Sequence, residues 1–422
     1  MNNIQFILCS IWIFAKEGIY YLLSKPKAEC FIDIVTQLGN INIFYIKLFQ
    51  TLSTNTHILT QEQIIYLSSY TDNVPYCKEE LDYSFIQTTK QVSKELKHSL
   101  EIDTTDGEII PYRSGMIAVV YTGKINNERI IIKVIRKNVL NKLTDALENM
   151  NFLVNILSYI PYINILNIRD IVQENKELLL SQTNFNLEVS NIKQMSKNCK
   201  NTDYIVIPDV YEEYTQENNN MIVMKLIEGI TLEEISDIDK DEYSLLIAKF
   251  GIKCLLFNRF YHGDLHSGNI LFIKEGGNYK LGIHDFGICG KITREEQEIF
   301  YNLFTLIGKS VDYMDVSKYF INNFVDPKDS IENLNKIYKI QLIIKIAHLC
   351  KLAFSEAGFG ALDLYEISKL LNKYDLYLNR KFCRIEVALA VADSVSSQLY
   401  YESSYMINVK KIVGELNSII EY

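Results

Sequence analysis

The sequence predicts an α+β fold in two lobes, with a helical extension before the small lobe and a long helical insert inside it. Three observations carry that expectation. Apolar residues at three-and-four spacing dominate residues 1–105, as in Ile58 to Leu67. Two β-branched runs, Gly115 to Lys124 and Glu128 to Arg136, then flank Asn126-Asn127, a pair suited to the left-handed turn of a short hairpin. From Thr231 onward helical patterning returns, broken by one strand–turn–strand of Ile270 to Ile273, Glu275-Gly-Gly-Asn278 and Lys280 to His284.

The turn cluster Asp103-Thr-Thr-Asp-Gly107 marks a boundary between an extension (1–105) and a small lobe (106–228). Within that lobe, residues 139–200 read as helix. Tyr204 to Val210 and Asn220 to Ile227 read as strands, joined by the charged loop Glu212 to Asn219. Residues 229–422 form a helical lobe whose segments after Arg294, such as Ile340 to Leu352, have the periodicity of core.

Composition narrows the function classes. The chain carries 43 Lys plus Arg against 52 Asp plus Glu, a net charge of −9, with no basic stripe. That field opposes phosphate neutralisation, so nucleic acid is excluded as a partner. The 8 cysteines form no C-x-x-C pair and no Cys/His cluster at zinc spacing, which predicts free thiols in a reducing compartment.

The apolar run Ile4 to Ala15 is shorter than the roughly 20 residues that a bilayer requires. No positive charge precedes it, and the first arginine is Arg113. Neither a signal peptide nor a transit peptide is recognised, pointing to an intracellular protein, cytoplasmic or peripheral to a membrane. The run is either a buried helix or one lying in a membrane interface.

The chemistry concentrates in Tyr261-His-Gly-Asp-Leu-His-Ser-Gly-Asn-Ile-Leu-Phe272. Asp264 and Asn269 share a loop between a helix and a strand, and the following hairpin ends in Asp285-Phe-Gly287. Phosphoryl transfer needs a carboxylate to orient the attacking group and oxygen ligands to hold Mg2+. Asp264 fits the first role, Asn269 and Asp285 the second. Each motif alone is weak, but together, joined by a strand–turn–strand, they specify a protein-kinase-like fold. Lys133 lies within Ile130-Ile-Ile-Lys-Val-Ile135, where an ammonium must find a partner. In such a fold it reaches the phosphates of ATP or ADP. Glu188 is its best partner, with Asp145, Glu148, Asp170, Glu174 and Glu177 left open.

These residues resemble the UbiB (aarF-domain) family of atypical kinases. Tyr261 to Ile270 is similar to the family's F-H-A-D-x-H-P-G-N-I, with Gly263 for Ala and Ser267 for Pro. Asp285-Phe-Gly-Ile-Cys-Gly290 matches its D-F-G segment. Phe185, Glu188 and Asn191 match the helix E-L-D-F-x-x-E-A-x-N. Lys47-Leu-Phe-Gln50 is similar to K-x-G-Q, with Phe49 in place of Gly, and Leu52 to Thr60 to the run that follows it. Arg113 to Tyr121 corresponds loosely to an alanine-rich nucleotide loop, retaining Ile117 and Val120.

The resemblance implies an ATP- and Mg2+-dependent kinase or ATPase with a lipid or membrane partner. Lys133 would be held by Glu188, and the backbone of Ser114, Gly115, Met116, Ile117 and Ala118 would cover the phosphates. Lys47 and Gln50 would belong to an extension that closes the peptide-substrate cleft. His262 braces the catalytic loop; His266 contacts substrate or phosphate, or caps a turn. Two rivals stand beside this reading. One is a small-molecule phosphotransferase of aminoglycoside or choline kinase type, which usually lacks D-F-G and the K-x-x-Q extension. The other is a catalytically silent nucleotide-binding scaffold. No residue pattern names a substrate or a protein partner.

Overall fold

The computed structural model describes residues 3–47, 63, 66–67, 74–157, 176, 179–309, 312–355, 361–379, 389, 392–393, 395–396, 398–399 and 405–420. Gln50, Phe49, Leu52 to Thr60 and the middle of the helical insert lie outside these residues.

The chain falls into two compact units. The first takes up 1–53, 58–193 and 209–226; the second takes up 54–57, 194–208 and 227–422. In chain order the elements used below are α1 (Asn3–Leu22), α2 (Lys27–Ile41), α3 (Ser84–Leu96), β1 (Leu100–Ile102), β2 (Arg113–Ser114), β3 (Ala118–Ile125), β4 (Glu128–Ile135), α4 (Val139–Leu157), α5 (Phe185–Cys199), β5 (Ile205–Val206), α6 (Glu212–Glu217), β6 (Met221–Lys225), β7 (Phe260–His262), β8 (Ile270–Glu275), β9 (Asn278–Ile283) and β10 (Cys289–Lys291).

The first unit is built on a five-stranded antiparallel sheet ordered β1-β3-β4-β6, with β2 pairing β3. The β3–β4 hairpin turns at Asn126 (φ 50°) and Asn127 (φ 69°), as the Asn-Asn pair predicts. Alternation along β4 buries Ile130, Ile132 and Val134 with Phe85, Val92 and Tyr121 on one face of the sheet. The turn at Asp103 to Gly107 sits inside this unit: β1 precedes it, and Asp103 N–H donates to Thr122 O at 3.0 Å.

Two sequence expectations are corrected. The segment Glu212 to Asn219 is not a loop throughout, since α6 fills Glu212–Glu217. Its cause is Tyr214, fully buried with its hydroxyl 2.8 Å from Ser93 Oγ, which pulls the segment onto α3. The strand expected over Tyr204 to Val210 shortens to β5, which pairs in parallel with β9.

The extension has its own core. Phe6 and Ile13 of α1, Val35 and Leu38 of α2, Phe44 to Ile46, and Leu143 and Leu147 of α4 are buried together. Phe6 stacks on Tyr45 with ring centres 4.8 Å apart. The helix at Ile4 to Ala15 is therefore half buried rather than enclosed. Phe6, Ser10, Ile13 and Glu17 face inward, while Ile4, Leu8, Ile11, Trp12 and Ile19 stay more than half exposed. Glu17, 1% exposed, fixes this orientation: Lys25 Nζ donates to it at 2.8 Å and Gln37 Nε2 at 3.1 Å.

In the second unit, β8 and β9 form a hairpin around Gly276 (φ 56°) and Gly277 (φ 87°), conformations that favour glycine. A separate antiparallel ladder joins β7 to β10. Helices make up most of the rest.

Hydrogen bonding from Lys25 holds the Glu17 carboxyl below its ordinary value of 4.5, against the opposing effect of burial. The stability tied to that carboxylate is present above pH 4.5 and is lost as pH falls through the lowered folded value. Glu17→Gln should flatten that acid limb in thermal melts recorded across pH. An unchanged limb would show that α1 is held by other contacts.

Candidate active site

Each unit carries one set of the predicted side chains. In the first, Lys133 occupies the centre of the sheet, opposite Val120 on β3 and Ile222 on β6. The alternation that buries its neighbours on one face turns Lys133 to the other. That face is covered by α5, whose Phe185 and Val189 pack with Ala118 and Ile222. Asn184 caps the helix, accepting the Leu187 N–H at 3.1 Å, and places Glu188 in the first turn, where the helix dipole favours an anion.

Lys133 Nζ donates to both Glu188 carboxylate oxygens, at 2.8 and 3.1 Å. It also lies 5.4 Å from the centre of the Phe185 ring. The lysine side chain is 15% exposed and the glutamate 1%. An ion pair this shielded keeps its charges only when both partners are present. Glu188 thus meets Lys133, whereas Asp170, Glu174 and Glu177 lie outside the described residues.

The loop after β2 closes on itself, Gly115 N–H donating to Ala118 O at 2.9 Å. Ser114, Met116 and Ala118 are buried. Lys47 ends the first described stretch, half-buried beside the buried Phe44, Tyr45 and Ile46.

In the second unit, two ladders bring the motif loops together. β7 leads into residues 263–269 and β8 leaves them; β9 leads into 284–288 and β10 leaves them. Because β7 pairs with β10 and β8 with β9, both ends of the two loops are tied side by side. Gly263 N–H donates to Ile288 O at 2.9 Å, and His284 N–H to Asn269 O at 3.4 Å. Asp285 follows directly on that contact.

His262 is buried at the centre of this arrangement. Its Nδ1 accepts the Asp264 N–H at 3.2 Å, so the ring proton resides on Nε2, which donates to Asp285 O. Burial pushes the imidazole below its ordinary range, outweighing the Asp285 carbonyl and the nearby carboxylates. A neutral His262 therefore hydrogen-bonds the backbone of both loops. His266 caps a turn: its Nδ1 accepts the Gly268 N–H at 3.1 Å, and its Nε2 stands 3.8 Å from Asp264 Oδ2.

The two candidate metal ligands are oriented by the same network. Asn269, buried, donates from Nδ2 to Asp264 O at 2.8 Å, so Oδ1 is the atom it presents as a ligand. Asp285 Oδ1 accepts the Gly287 N–H at 3.0 Å, which fixes the carboxylate plane. An amide oxygen and a carboxylate are the hard ligands that Mg2+ takes when phosphate oxygens complete its shell, so the residues fit that ion.

Gly263 replaces the alanine of the family pattern. A Cβ there would lie 2.6 Å from Ile288 Cγ2, closer than packed carbons allow, so the glycine and the isoleucine are fitted to each other.

The sequence marks Arg136 only as the end of a strand, yet its guanidinium is buried and bonded to Val74 O, Pro75 O, Ser114 Oγ and Glu80. A lone arginine closing an aliphatic strand was the available signal.

Comparison with known proteins gives the family and the fold. A model of the ABC1 atypical kinase-like domain matches residues 72–320. The chain is 26% identical over 411 residues to a protein of Shewanella sp. (strain W3-18-1) named "Probable protein kinase UbiB", covering 92% of this chain and 71% of that one. It is 25% identical over 411 residues to a protein of the same name from Shewanella baltica, with the same coverage. Among solved structures, Rv3197 of Mycobacterium tuberculosis, determined with erythromycin, aligns at a TM-score of 0.51 and 16% identity, covering 91% of this chain and 95% of that one. That last likeness is one of fold.

Proposed function

The chain belongs to the ABC1 atypical kinase-like family, and we propose that it is an ATP- and Mg2+-dependent phosphotransferase or ATPase of the UbiB type, working with a lipid or membrane partner. The observation that carries this reading is the intact Lys133–Glu188 pair, together with an Asp264–Asn269–Asp285 set oriented by neutral His262.

Asn269 Oδ1 and the Asp285 carboxylate would hold Mg2+, which when bound would supply neutralisation of the charge developing on the transferred phosphoryl group. Lys133 binds the nucleotide phosphates, its ammonium kept in place by Glu188, and the backbone of 114–118 covers them. Asp264 orients the attacking hydroxyl or water. By function the chain would divide into an extension (1–105) whose last residues join the small lobe's sheet through β1, a small nucleotide-binding lobe (106–228) and a catalytic lobe (229–422). Lys47 and Gln50 belong to the extension and, by resemblance, favour ATP hydrolysis over peptide phosphorylation. The D-F-G segment and that extension weigh against a small-molecule phosphotransferase, and the complete Lys133, Asp264, Asn269 and Asp285 set weighs against a silent scaffold.

The membrane part rests on α1. Its outer face, Ile4, Leu8, Ile11, Trp12, Ile19 and Leu22, is exposed by 57% or more at every position and carries no charge. No helix among the described residues is long and apolar enough to cross a membrane. A helix buried on one side and uncharged and apolar on the other suits the interfacial plane of a bilayer, where the apolar area supplies the binding. Such a contact would make the protein peripheral and would depend little on anionic lipid or salt.

Two measurements test these readings. Asp285→Asn keeps an oxygen for Gly287 N–H but loses the charge. It should abolish the Mg2+-dependent thermal stabilisation by ADP or ATP and lower turnover by roughly a hundredfold or more; an unaltered thermal shift contradicts the assignment. In flotation with phosphatidylcholine vesicles, the wild type should rise with the lipid, and a variant carrying both Ile11→Asp and Trp12→Asp should stay behind. Equal flotation removes the membrane contact.

A further inference from the structure

We infer that Arg136 is a positioning residue for the nucleotide: it pins the 114–118 loop to the helical extension, so that the extension sets nucleotide affinity. This rests on the reading of 114–118 as the loop that covers the phosphates.

The case starts from what a buried guanidinium requires. Arg136 is 4% exposed, and such a group is retained in a core only where several acceptors converge on it. Four do. Nη2 donates to Val74 O at 3.0 Å and to Ser114 Oγ at 2.5 Å. Nη1 donates to Pro75 O at 3.2 Å and to Glu80 Oε2 at 3.1 Å. Glu80 supplies the countercharge and is held in turn by Lys142 Nζ at 2.5 Å. The Arg136 backbone N–H donates to Ile117 O at 2.9 Å.

One residue thus grips both ends of the loop, Ser114 by its hydroxyl and Ile117 by its carbonyl. The segment it ties them to, Val74–Pro75, also meets the loop directly, through Val74 N–H to Ser114 O at 2.8 Å. From the other side, Met116 is buried in the core of the extension with Phe6, Val35, Phe44 and Leu143, and Ile117 packs against it. Arg136 lies three residues beyond Lys133, just past the end of the same strand. The loop, the strand bearing Lys133 and the Val74–Pro75 segment of the extension form one hydrogen-bonded body. A loop held this way meets the phosphates without first being ordered, which preserves affinity that a free loop would lose.

The experiment is calorimetric titration of the full chain with Mg-ADP, accompanied by thermal melts and steady-state turnover. Arg136→Lys keeps a cation beside Glu80, but an ammonium cannot span the four acceptors; Ser114→Ala removes one hydroxyl and leaves the fold intact. Lys142→Gln serves as the control, because it weakens the support of Glu80 without touching the loop.

The inference expects Arg136→Lys to weaken Mg-ADP binding roughly tenfold and Ser114→Ala severalfold. KM for ATP should rise in step and kcat should stay within about twofold of wild type. Lys142→Gln should lower the melting temperature and leave affinity unchanged. Wild-type affinity in both loop variants, or a loss in Lys142→Gln equal to that in Arg136→Lys, would overturn the positioning role while the nucleotide reading stands. A wild type that fails to bind Mg-ADP would overturn the nucleotide reading itself.

Discussion

A lysine in the middle of an aliphatic strand is the constraint on which the first unit depends. The cross-strand neighbours of Lys133 are Val120 and Ile222, and neither can accept a hydrogen bond through its side chain. Leaving an ammonium unpaired there would cost several kcal/mol, so the face of the sheet that carries it has to be covered by an element bearing an anion. Helix α5 meets that demand: Asn184 starts it, Phe185 and Val189 bind it to the sheet, and the intervening turn sets Glu188 against the lysine. The pair adds little to stability beyond what apolar packing would give. What it secures is a positive charge held at one place on a rigid strand, which is the requirement of phosphate binding.

The second unit solves a different problem with backbone hydrogen bonds. Asp264, Asn269 and Asp285 come from two separate loops, and each loop is anchored at both ends by a two-ladder arrangement. His262 then joins them through its two ring nitrogens, accepting from one loop and donating to the other. Only a neutral imidazole can do both at once. The burial that keeps it neutral is thus part of what holds the two loops together.

The elements with the strongest local signals were legible in the sequence. The Asn126-Asn127 hairpin and the Gly276-Gly277 hairpin each follow from turn chemistry within a few residues, and the helix of Glu188 lies in a stretch whose pattern reads as helix. The joint spacing of Asp264, Asn269 and Asp285 singled out two loops, which the β7–β10 and β8–β9 ladders tie side by side in the second unit. What could not be read depends on contacts distant along the chain. Tyr214 draws Glu212 to Glu217 into a helix because Ser93 lies beneath it. Arg136 becomes a buried hub because Val74, Pro75 and Glu80 arrive from far upstream. Helix α1 is buried on one face and exposed on the other, a division its apolar run alone does not reveal.

The central claim is that Asn269 and Asp285, both in the second unit, hold a single metal ion with its nucleotide. A double-mutant cycle with Asn269→Ala, Asp285→Asn and the double variant tests it most directly, with Mg-ADP affinity measured by calorimetry. The account predicts that the two losses do not add, with an interaction term of about 1 kcal/mol or more. Losses that add to within about 0.5 kcal/mol would mean that the two residues serve independent sites, and would contradict it.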